Sequence, residues 1–289
     1  MIAVDWGTSS LRAFRLDAAG TILDHRSSAL GIMHVPASDF AGVLRGQVGD
    51  WIAAGEPDIL LSGMIGSRQG WVEAAYLPCP ASPASIAASL VAVPFEGARV
   101  RLVPGLSDRD EAGVPEVMRG EETQLLGVMS AIGGAGLACL PGSHSKWARI
   151  EAGSIAGFRT YLSGEAFAAL RQGTILGRMM ADAPPDAAAF AEGVARSGAP
   201  GHLLHHLFGV RTRGLFGELA DTASASYLSG LLIGHEIRAA LPPGGHVALI
   251  GAATLTALYR AAIEQCGGTA EIMDEDAAAR GLALIAGAA

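Results

Sequence analysis

A turn rich in glycine and hydroxyl side chains follows the first apolar segment of the chain. Asp5 ends that segment, and the turn runs from there to Arg12. Backbone N–H groups and hydroxyls in such a turn can surround a phosphate group, and a carboxylate at a strand end can hold hydrated Mg²⁺. An ordinary hairpin turn selected for its backbone angles is the alternative. The phosphate interpretation makes Asp5 a metal ligand, and it makes phosphate contacts of Gly7, Thr8, Ser9 and Arg12.

The only lysine of the chain, Lys146, lies in a second turn of similar composition, at residues 141 to 147. All the other basic residues are arginines, so the lysine reflects either a codon bias or a need for an ammonium group that a guanidinium cannot replace. An ammonium at this point can offset charge as a γ-phosphoryl group leaves. Lys146 is therefore a candidate catalytic cation, and the candidate phosphate contacts beside it are Gly142, Ser143, His144 and Ser145. For His144, a structural hydrogen-bonded histidine is the alternative.

Two adjacent acids, Glu121 and Glu122, begin a predicted helix between the two turns. Acids in a first helical turn often do no more than complement the helix dipole. The functional alternative is a carboxylate general base that takes the proton of an attacking hydroxyl, which contributes ~10²–10⁴-fold in rate. Only one of the two can point inward, and we favour Glu121.

Two polar clusters are candidates for binding an anionic substrate. The first follows the apolar segment at residues 59 to 61, where loops after buried strands commonly build ligand sites. An arginine there can bind a carboxylate through two parallel hydrogen bonds, although either cluster could instead form surface or interdomain ion pairs. The candidate substrate contacts are Ser67, Arg68, Gln69 and Trp71 in the first cluster, and Arg159 and Glu165 in the second.

An apolar strand breaks at Gly251 and leads into a predicted helix. A glycine at such a break allows a ligand to approach the backbone closely, and the following helix N-terminus favours anions. We therefore include Gly251 as a candidate contact for the nucleotide.

The elements that must position these residues follow from hydrophobic periodicity. The chain opens with three strands, a helix from Ser38 and a buried strand, and a second strand cluster begins near residue 137. A predicted loop at residues 108 to 115 separates lobes 1–112 and 113–289. After the second cluster we predict helices at 164–172, 186–196, 201–208 and 221–240, a strand at 247–250, a helix at 252–266, a strand at 270–273 and a last helix from Glu275.

Composition limits the class of protein. The 289 residues are 50% hydrophobic with a net charge of −8, which describes a folded globular protein without a basic face for nucleic acid or an anionic membrane. The three cysteines show no paired spacing, and the N-terminus has no basic leader, so we expect a cytoplasmic protein. We expect neither nucleic acid nor a membrane as partner. A homodimer is compatible with the sequence, which leaves the oligomeric state open.

Long strings in this order resemble the 2-dehydro-3-deoxygalactonokinase family, within the sugar kinase, Hsp70 and actin superfamily. The resemblance spans nearly the whole chain, from Ile2 to the final helix. The strings that carry it are GMIGSRQGW at 63–71, MRGEETQLLG at 118–127, LPGSHSKWARI at 140–150 and ASYLSGLLIGHE at 225–236.

This resemblance implies an α/β fold of two ribonuclease-H-like lobes, as in actin-like ATPases, with mixed sheets flanked by helices around a central cleft. It also implies the use of ATP and Mg²⁺ to phosphorylate the C6 hydroxyl of a sugar acid, 2-dehydro-3-deoxy-D-galactonate. Many sugar kinases of the superfamily carry an aspartate as base, whereas the corresponding helix here offers Glu121 and Glu122. The alternatives are a kinase for another keto-deoxy acid, such as the gluconate epimer, and an ATP-driven conformational switch.

Overall fold

A computed structural model describes residues 1–274 and 276–289 of the chain. In the described residues the strands are β1 (Ile2–Trp6), β2 (Leu11–Leu16), β3 (Ile22–Ser28), β4 (Asp58–Ser62), β5 (Leu77–Pro78), β6 (Val91–Val93), β7 (Arg99–Leu102), β8 (Leu106–Arg109), β9 (Pro115–Met118), β10 (Gly136–Leu140), β11 (Ser145–Glu151), β12 (Ser154–Tyr161), β13 (His246–Leu249) and β14 (Thr269–Ile272). The α-helices are α1 (Phe40–Ala53), α2 (Pro83–Ala87), α3 (Glu121–Val128), α4 (Ser163–Gly173), α5 (Ala187–Ser197), α6 (Leu203–Leu215), α7 (Ser224–Ala240), α8 (Ala253–Gln265) and α9 (Ala277–Gly287).

The chain divides into two compact units. The first comprises Met1–Gly136, Ala148–Arg159 and Asp274–Ala289, and the second comprises Leu137–Trp147 and Thr160–Met273. This division differs from the predicted lobes 1–112 and 113–289, because α3 and α9 both lie in the first unit. The chain passes between the units four times, within β10, β11 and β12 and after Met273.

The first unit contains a six-stranded sheet in the order β3-β2-β1-β4-β7-β6. β1 pairs antiparallel with β2 and parallel with β4, and β4 pairs parallel with β7. The apolar segments of β1 and β4 are buried throughout, as expected for strands covered on both faces. Because β1 and β4 run in the same direction, the loops that follow Trp6 and Ser62 leave the sheet at the same edge.

Helix α1 covers this sheet with the face that its sequence predicts. The Asp39 side chain caps its first turn by accepting a hydrogen bond from the Gly42 amide, and Phe40, Leu44 and Trp51 are buried at helical spacing in the apolar core. The predicted helix from Ser38 is therefore confirmed, with its first turn two residues later.

A five-stranded sheet has the order β12-β11-β10-β13-β14, and its strands β13 and β14, with nearly all of β10, belong to the second unit. β10, β13 and β14 are parallel neighbours, so the loops after Leu140 and Leu249 also leave at one edge. Helices α5 and α7 pack closely, because Gly193 and Gly230 let the two backbones approach each other. The order of these five strands repeats that of the first five strands in the other sheet.

The helices and strands predicted after residue 137 are confirmed, with small shifts at their ends. The exception is the helix at 201–208, which continues to Leu215 because Gly209 does not end it. The predicted start of the last helix at Glu275 lies outside the described residues. The observed helix includes Ala277–Gly287.

The predicted loop at residues 108 to 115 is correct only for residues 110–114, because its ends belong to strands. Strands β8 and β9 form an antiparallel hairpin across it, and β5 adds a third strand. The turn residues Asp110 and Gly113 suggested a loop, but they form the tip of this hairpin, where the Asp110 carboxylate accepts hydrogen bonds from the Ala112 and Val114 amides.

Helix α3, which carries the two acids, packs against α9 through backbone contacts. A Cβ atom built on Gly281 would overlap the carbonyl oxygen of Thr123, and one built on Gly127 would overlap that of Ala277. Glycine at both positions is therefore a condition for this packing.

We predict that Gly281→Ala lowers the free energy of unfolding by about 1–3 kcal/mol or more, because the added methyl group forces the helices apart. Gly287→Ala, in the same helix, is the matched control, since a Cβ atom there meets nothing within 4 Å. The control should be neutral or stabilising by up to about 1 kcal/mol. Equal urea midpoints for the two variants would contradict this packing.

Candidate active site

In the first unit, Asp5 and Arg12 form an ion pair at the base of the first turn. The two residues are opposite each other in the β1–β2 register, and Arg12 Nη2 lies 2.6 Å from Asp5 Oδ2. One carboxylate oxygen of Asp5 is thus engaged by Arg12. The other oxygen lies toward Gly63, where a built Cβ atom would be 3.3 Å from Asp5 Oδ1.

The turn after β1 directs two of its carbonyl groups toward its own unit. The carbonyl oxygens of Gly7 and Thr8 accept hydrogen bonds from the amides of Ile32 and Met33, at 3.0 and 3.2 Å. The side chains of Thr8 and Ser9 are exposed. This arrangement keeps two carbonyl dipoles away from an anion bound on the exposed side, as the predicted phosphate role requires.

Three backbone segments meet at the edge of the sheet where β1 and β4 end. Gly63 and Gly120 both have positive φ angles, of 95° and 106°. A Cβ atom on Gly63 would lie 2.7 Å from the carbonyl oxygen of Trp6, and one on Gly120 would lie 3.1 Å from the Gly63 Cα atom. The start of α3 is therefore held beside the end of β1, which carries Asp5.

The two acids of α3 lie in different surroundings. Glu121 is half-buried, and its Oε2 atom accepts a hydrogen bond of 2.9 Å from the Arg119 amide. Glu122 is fully buried, and its Oε2 atom accepts one of 2.6 Å from the Gly120 amide. Burial and the neighbouring Glu121 charge raise the pKa of Glu122 to about 8. Glu122 is thus protonated near neutral pH.

Arg119 is a buried residue that the sequence analysis did not select. Its Nη2 atom donates to the Ala74 carbonyl oxygen at 2.7 Å, and its guanidinium lies over the Tyr76 ring at 4.4 Å. Among the described residues, neither its Nε nor its Nη1 atom has a hydrogen-bond partner, and both are buried. Its position next to the acids, in the string at 118–127, was the only sequence signal.

The loop after β4 separates the predicted substrate residues. Gly66 abuts Arg119, since a Cβ atom there would lie 3.0 Å from Arg119 Nη1. The next residue, Ser67, has a buried Oγ atom that lacks a hydrogen-bond partner in the described structure. Arg68, by contrast, is 87% exposed and pairs with Glu73 at 3.4 Å.

The other two candidates in this loop also differ from each other. Gln69 is exposed, whereas Trp71 is half-buried and packs against the apolar core. Its ring stacks on Phe40 and meets Phe95 edge to face. Packing alone thus accounts for the position of Trp71.

In the second predicted cluster, Arg159 and Glu165 do not contact the same residues. Arg159 belongs to the first unit, where its Nη1 atom lies 3.0 Å from Asp108 Oδ2 and donates to the Phe158 carbonyl oxygen. Glu165 belongs to the second unit, where its carboxylate pairs with the exposed His144 ring.

In the second unit, the start of α4 packs on the second turn. The Glu165 amide donates to the Ser143 carbonyl oxygen at 3.0 Å, and a Cβ atom on Gly164 would lie 2.8 Å from Ser143 Cα. Together with the His144 pair, these contacts fix the conformation of the turn from one side.

Lys146 and Ser145 are buried behind this turn. Lys146 is 5% exposed, and its Nζ atom donates to Thr160 Oγ1 at 3.1 Å. The Ser145 Oγ atom lies 2.8 Å from the Tyr259 hydroxyl. Ser145, predicted as a phosphate contact, thus directs its hydroxyl into the core of its unit.

Gly251 lies beside the second turn, as the parallel pairing of β10 and β13 requires. A Cβ atom on Gly251 would be 3.7 Å from the Pro141 carbonyl oxygen. The fold therefore places the strand break next to the turn that precedes Lys146, and the predicted nucleotide contacts of this unit lie together.

Asp5 could contribute one carboxylate to a bound Mg²⁺ ion. Within the described residues, no three histidine, cysteine, aspartate or glutamate side chains come together as a metal cage. Mg²⁺ commonly binds through one or two carboxylates, with substrate phosphates and water completing its shell, so a single aspartate fits.

None of the helices in the described part of the chain has both the length and the apolarity needed to cross a bilayer.

Comparison with known sequences shows that the chain is similar to members of one family. The sequence model of the 2-keto-3-deoxy-galactonokinase family matches residues 5–285. A Rhizobium meliloti (strain 1021) protein named as a 2-dehydro-3-deoxygalactonokinase is 40% identical over 286 residues, which are 96% of this chain and 93% of that protein. The 2-dehydro-3-deoxygalactonokinase of Escherichia coli (strain K12) is 34% identical over 269 residues, covering 92% and 90%.

Comparison with solved structures confirms the predicted fold class. A crystal structure of a protein assigned as a 2-dehydro-3-deoxygalactonokinase, from Sinorhizobium meliloti, has a TM-score of 0.90 at 40% identity, covering 99% of this chain and 97% of that chain. The ADPNP-bound activator of the 2-hydroxyisocaproyl-CoA dehydratase from Clostridium difficile has a TM-score of 0.52 at 10% identity, covering 100% and 95%. The α/β architecture is that of the actin-like ATPases and sugar kinases.

We predict that Glu122 makes stability fall as pH rises. In the unfolded chain this carboxyl titrates near 4.5, whereas in the folded chain it titrates near 8. Between these values the folded state binds more protons, so the free energy of unfolding decreases with pH, by on the order of 3 kcal/mol. Glu122→Gln should remove this decrease in urea titrations at pH 5 to 9.

Glu264→Gln makes the same chemical change at an exposed position of α8 and should keep the wild-type dependence on pH. A Glu122→Gln variant whose stability followed the wild-type pH curve would show that Glu122 ionises normally.

Proposed function

The chain belongs to the 2-keto-3-deoxy-galactonokinase family, and we propose that it transfers the γ-phosphoryl group of ATP to the C6 hydroxyl of 2-dehydro-3-deoxy-D-galactonate. The observation that carries this proposal is the family match over residues 5–285, which includes both turns and both acids of α3. The gluconate epimer of the substrate is the remaining alternative, because it differs only in the placement of one hydroxyl.

The two turns supply phosphate contacts in this proposal. In the first unit, Thr8 and Ser9 offer exposed hydroxyls on a turn whose Gly7 and Thr8 carbonyls are already hydrogen-bonded. In the second unit, the turn before Lys146 is held by α4, and the lysine charge offsets the negative charge that develops during transfer. When bound, Mg²⁺ would be held by Asp5 and would neutralise phosphate charge.

Glu121 is the base in this mechanism, because it is the partly exposed member of the pair. Its carboxylate takes the proton of the C6 hydroxyl while the hydroxyl oxygen forms a bond to the γ-phosphorus. The bond from that phosphorus to the β–γ bridging oxygen breaks, and ADP leaves. Glu122 remains buried and holds the Gly120 amide at the start of α3.

Arg119 is our assignment for the substrate carboxylate. A buried guanidinium with two nitrogen atoms that lack hydrogen-bond partners among the described residues carries a desolvation cost that an anionic partner would offset. Arg68 fits this role less well, because it is exposed and pairs with Glu73. Ser67, whose buried hydroxyl lacks a partner in the described structure, lies next to the glycine that abuts Arg119.

A coupled assay of ATP consumption over a panel of sugar acids tests the proposed function. We expect consumption only with a keto-deoxy sugar acid, and fastest with 2-dehydro-3-deoxy-D-galactonate. Glu121→Gln should lower kcat by about 10²–10⁴-fold with little change in KM, because the base acts only in the transition state.

Two results would contradict this account. ATP hydrolysis that does not depend on any acceptor would indicate a conformational switch. Near wild-type turnover in Glu121→Gln, with turnover lost in Glu122→Gln, would make Glu122 the base.

A further inference from the structure

Four buried polar side chains from three elements meet in the core of the second unit. They are Ser145 and Trp147 of β11, Glu236 of α7 and Tyr259 of α8, and each is at most 3% exposed. The Trp147 indole donates to Glu236 Oε1 at 2.7 Å, and the Tyr259 hydroxyl donates to Glu236 Oε2 at 2.8 Å. We call this set the Glu236 network.

The carboxylate sets the direction of every hydrogen bond in the network. An ionised carboxylate only accepts, so the hydroxyl proton of Tyr259 must point to Glu236. The Tyr259 oxygen then accepts from the Ser145 hydroxyl, 2.8 Å away, and Ser145 Oγ is left as the acceptor for the Gly142 amide at 3.4 Å. The Ser145 hydroxyl also lies 3.5 Å from the Gly142 carbonyl oxygen, but that contact is longer.

The fixed order of donors and acceptors extends from the core to the second turn. Ser145 and Trp147 flank Lys146 in β11, and side chains alternate between the faces of a strand. The network therefore anchors the residue on each side of the lysine to one face. Lys146 reaches the other way and donates to Thr160.

The network also joins the turn to α8, the helix that follows Gly251. Tyr259 is on α8 and Ser145 follows the turn, so one carboxylate connects both predicted nucleotide segments of this unit. In addition, Ser163 at the start of α4 forms a hydrogen bond with Glu236.

Burying a carboxylate in the core costs free energy, because the charge loses its hydration. Burial raises the pKa of Glu236, and hydrogen bonds from Ser163, Trp147 and Tyr259 oppose this increase. An apolar side chain would fill the same volume without the desolvation cost, although it could not orient the donors. A role in orientation therefore explains the acid better than a role in packing.

We propose that Glu236 is a positioning residue that holds the turn at residues 142–145 and Lys146 in the arrangement that binds the phosphates of ATP. This inference rests on the proposed function, since it requires that the second turn contact nucleotide. Neither Glu236 nor Tyr259 needs to touch the substrates in this role.

Calorimetric titration with Mg²⁺ and AMPPNP tests the proposal without a sugar acid. Glu236→Gln places an amide donor opposite the Tyr259 oxygen, which reverses the chain of donors: Tyr259 then donates to Ser145, and the Ser145 proton turns to the Gly142 carbonyl oxygen. Tyr259→Phe removes a single oxygen atom and breaks the same chain. We expect each change to raise the Kd of the nucleotide by about tenfold in folded protein, the effect of losing a well-placed hydrogen bond.

Leu231→Ala is the matched control, because Leu231 is fully buried on α7 and packs in an apolar cluster without polar partners. It should lower the melting temperature and leave the Kd unchanged. Wild-type affinity in both Glu236→Gln and Tyr259→Phe, or an equal loss of affinity in Leu231→Ala, would overturn the proposal.

The KM values separate this inference from the proposed function. In the kinase assay, the variants should raise the KM for ATP while the KM for the sugar acid stays within about twofold. A wild-type protein that binds AMPPNP but phosphorylates no sugar acid would contradict the proposed function, and the comparison of Kd values would still decide the role of Glu236.

Discussion

Parallel strand pairing is the constraint on which both candidate sites depend. In the first unit, β1 and β4 run in the same direction, with Asp5 opposite Ser62. The turn that contains Thr8 and the loop that contains Gly63 must therefore leave the sheet at one edge. In the second unit, β10 and β13 impose the same condition, with Cys139 opposite Leu249, so the turn before Lys146 and the break at Gly251 are neighbours.

Buried polar side chains distinguish the two candidate sites. The Glu236 carboxylate has partners for both oxygens, so its burial produces a fixed arrangement. Arg119 and Glu122 are buried with polar atoms that lack hydrogen-bond partners in the described residues. Such groups are rare in folded proteins and call for an explanation. We interpret the Glu236 network as a support for the second turn and the buried Arg119 as a group that binds an anionic ligand.

Local patterns were sufficient to predict most of the strands, most helices and the positions of the two turns. The period-two pattern of β2 and the capped apolar stripe of α1 depend only on neighbouring residues. The hairpin of β8 and β9 was missed because its strands have four residues each and surround strong turn residues. Contacts between residues distant in sequence could not be predicted either. Glu236 meets Trp147 across 89 positions, and nothing in a single sequence indicates that contact.

We propose that the turns at Thr8 and Lys146 both bind the phosphates of ATP, and calorimetric titration of Thr8→Val and Lys146→Met with Mg²⁺ and AMPPNP tests this proposal most directly. The account predicts one nucleotide per wild-type chain and a Kd raised about tenfold or more by each substitution. Wild-type affinity in either folded variant would contradict it.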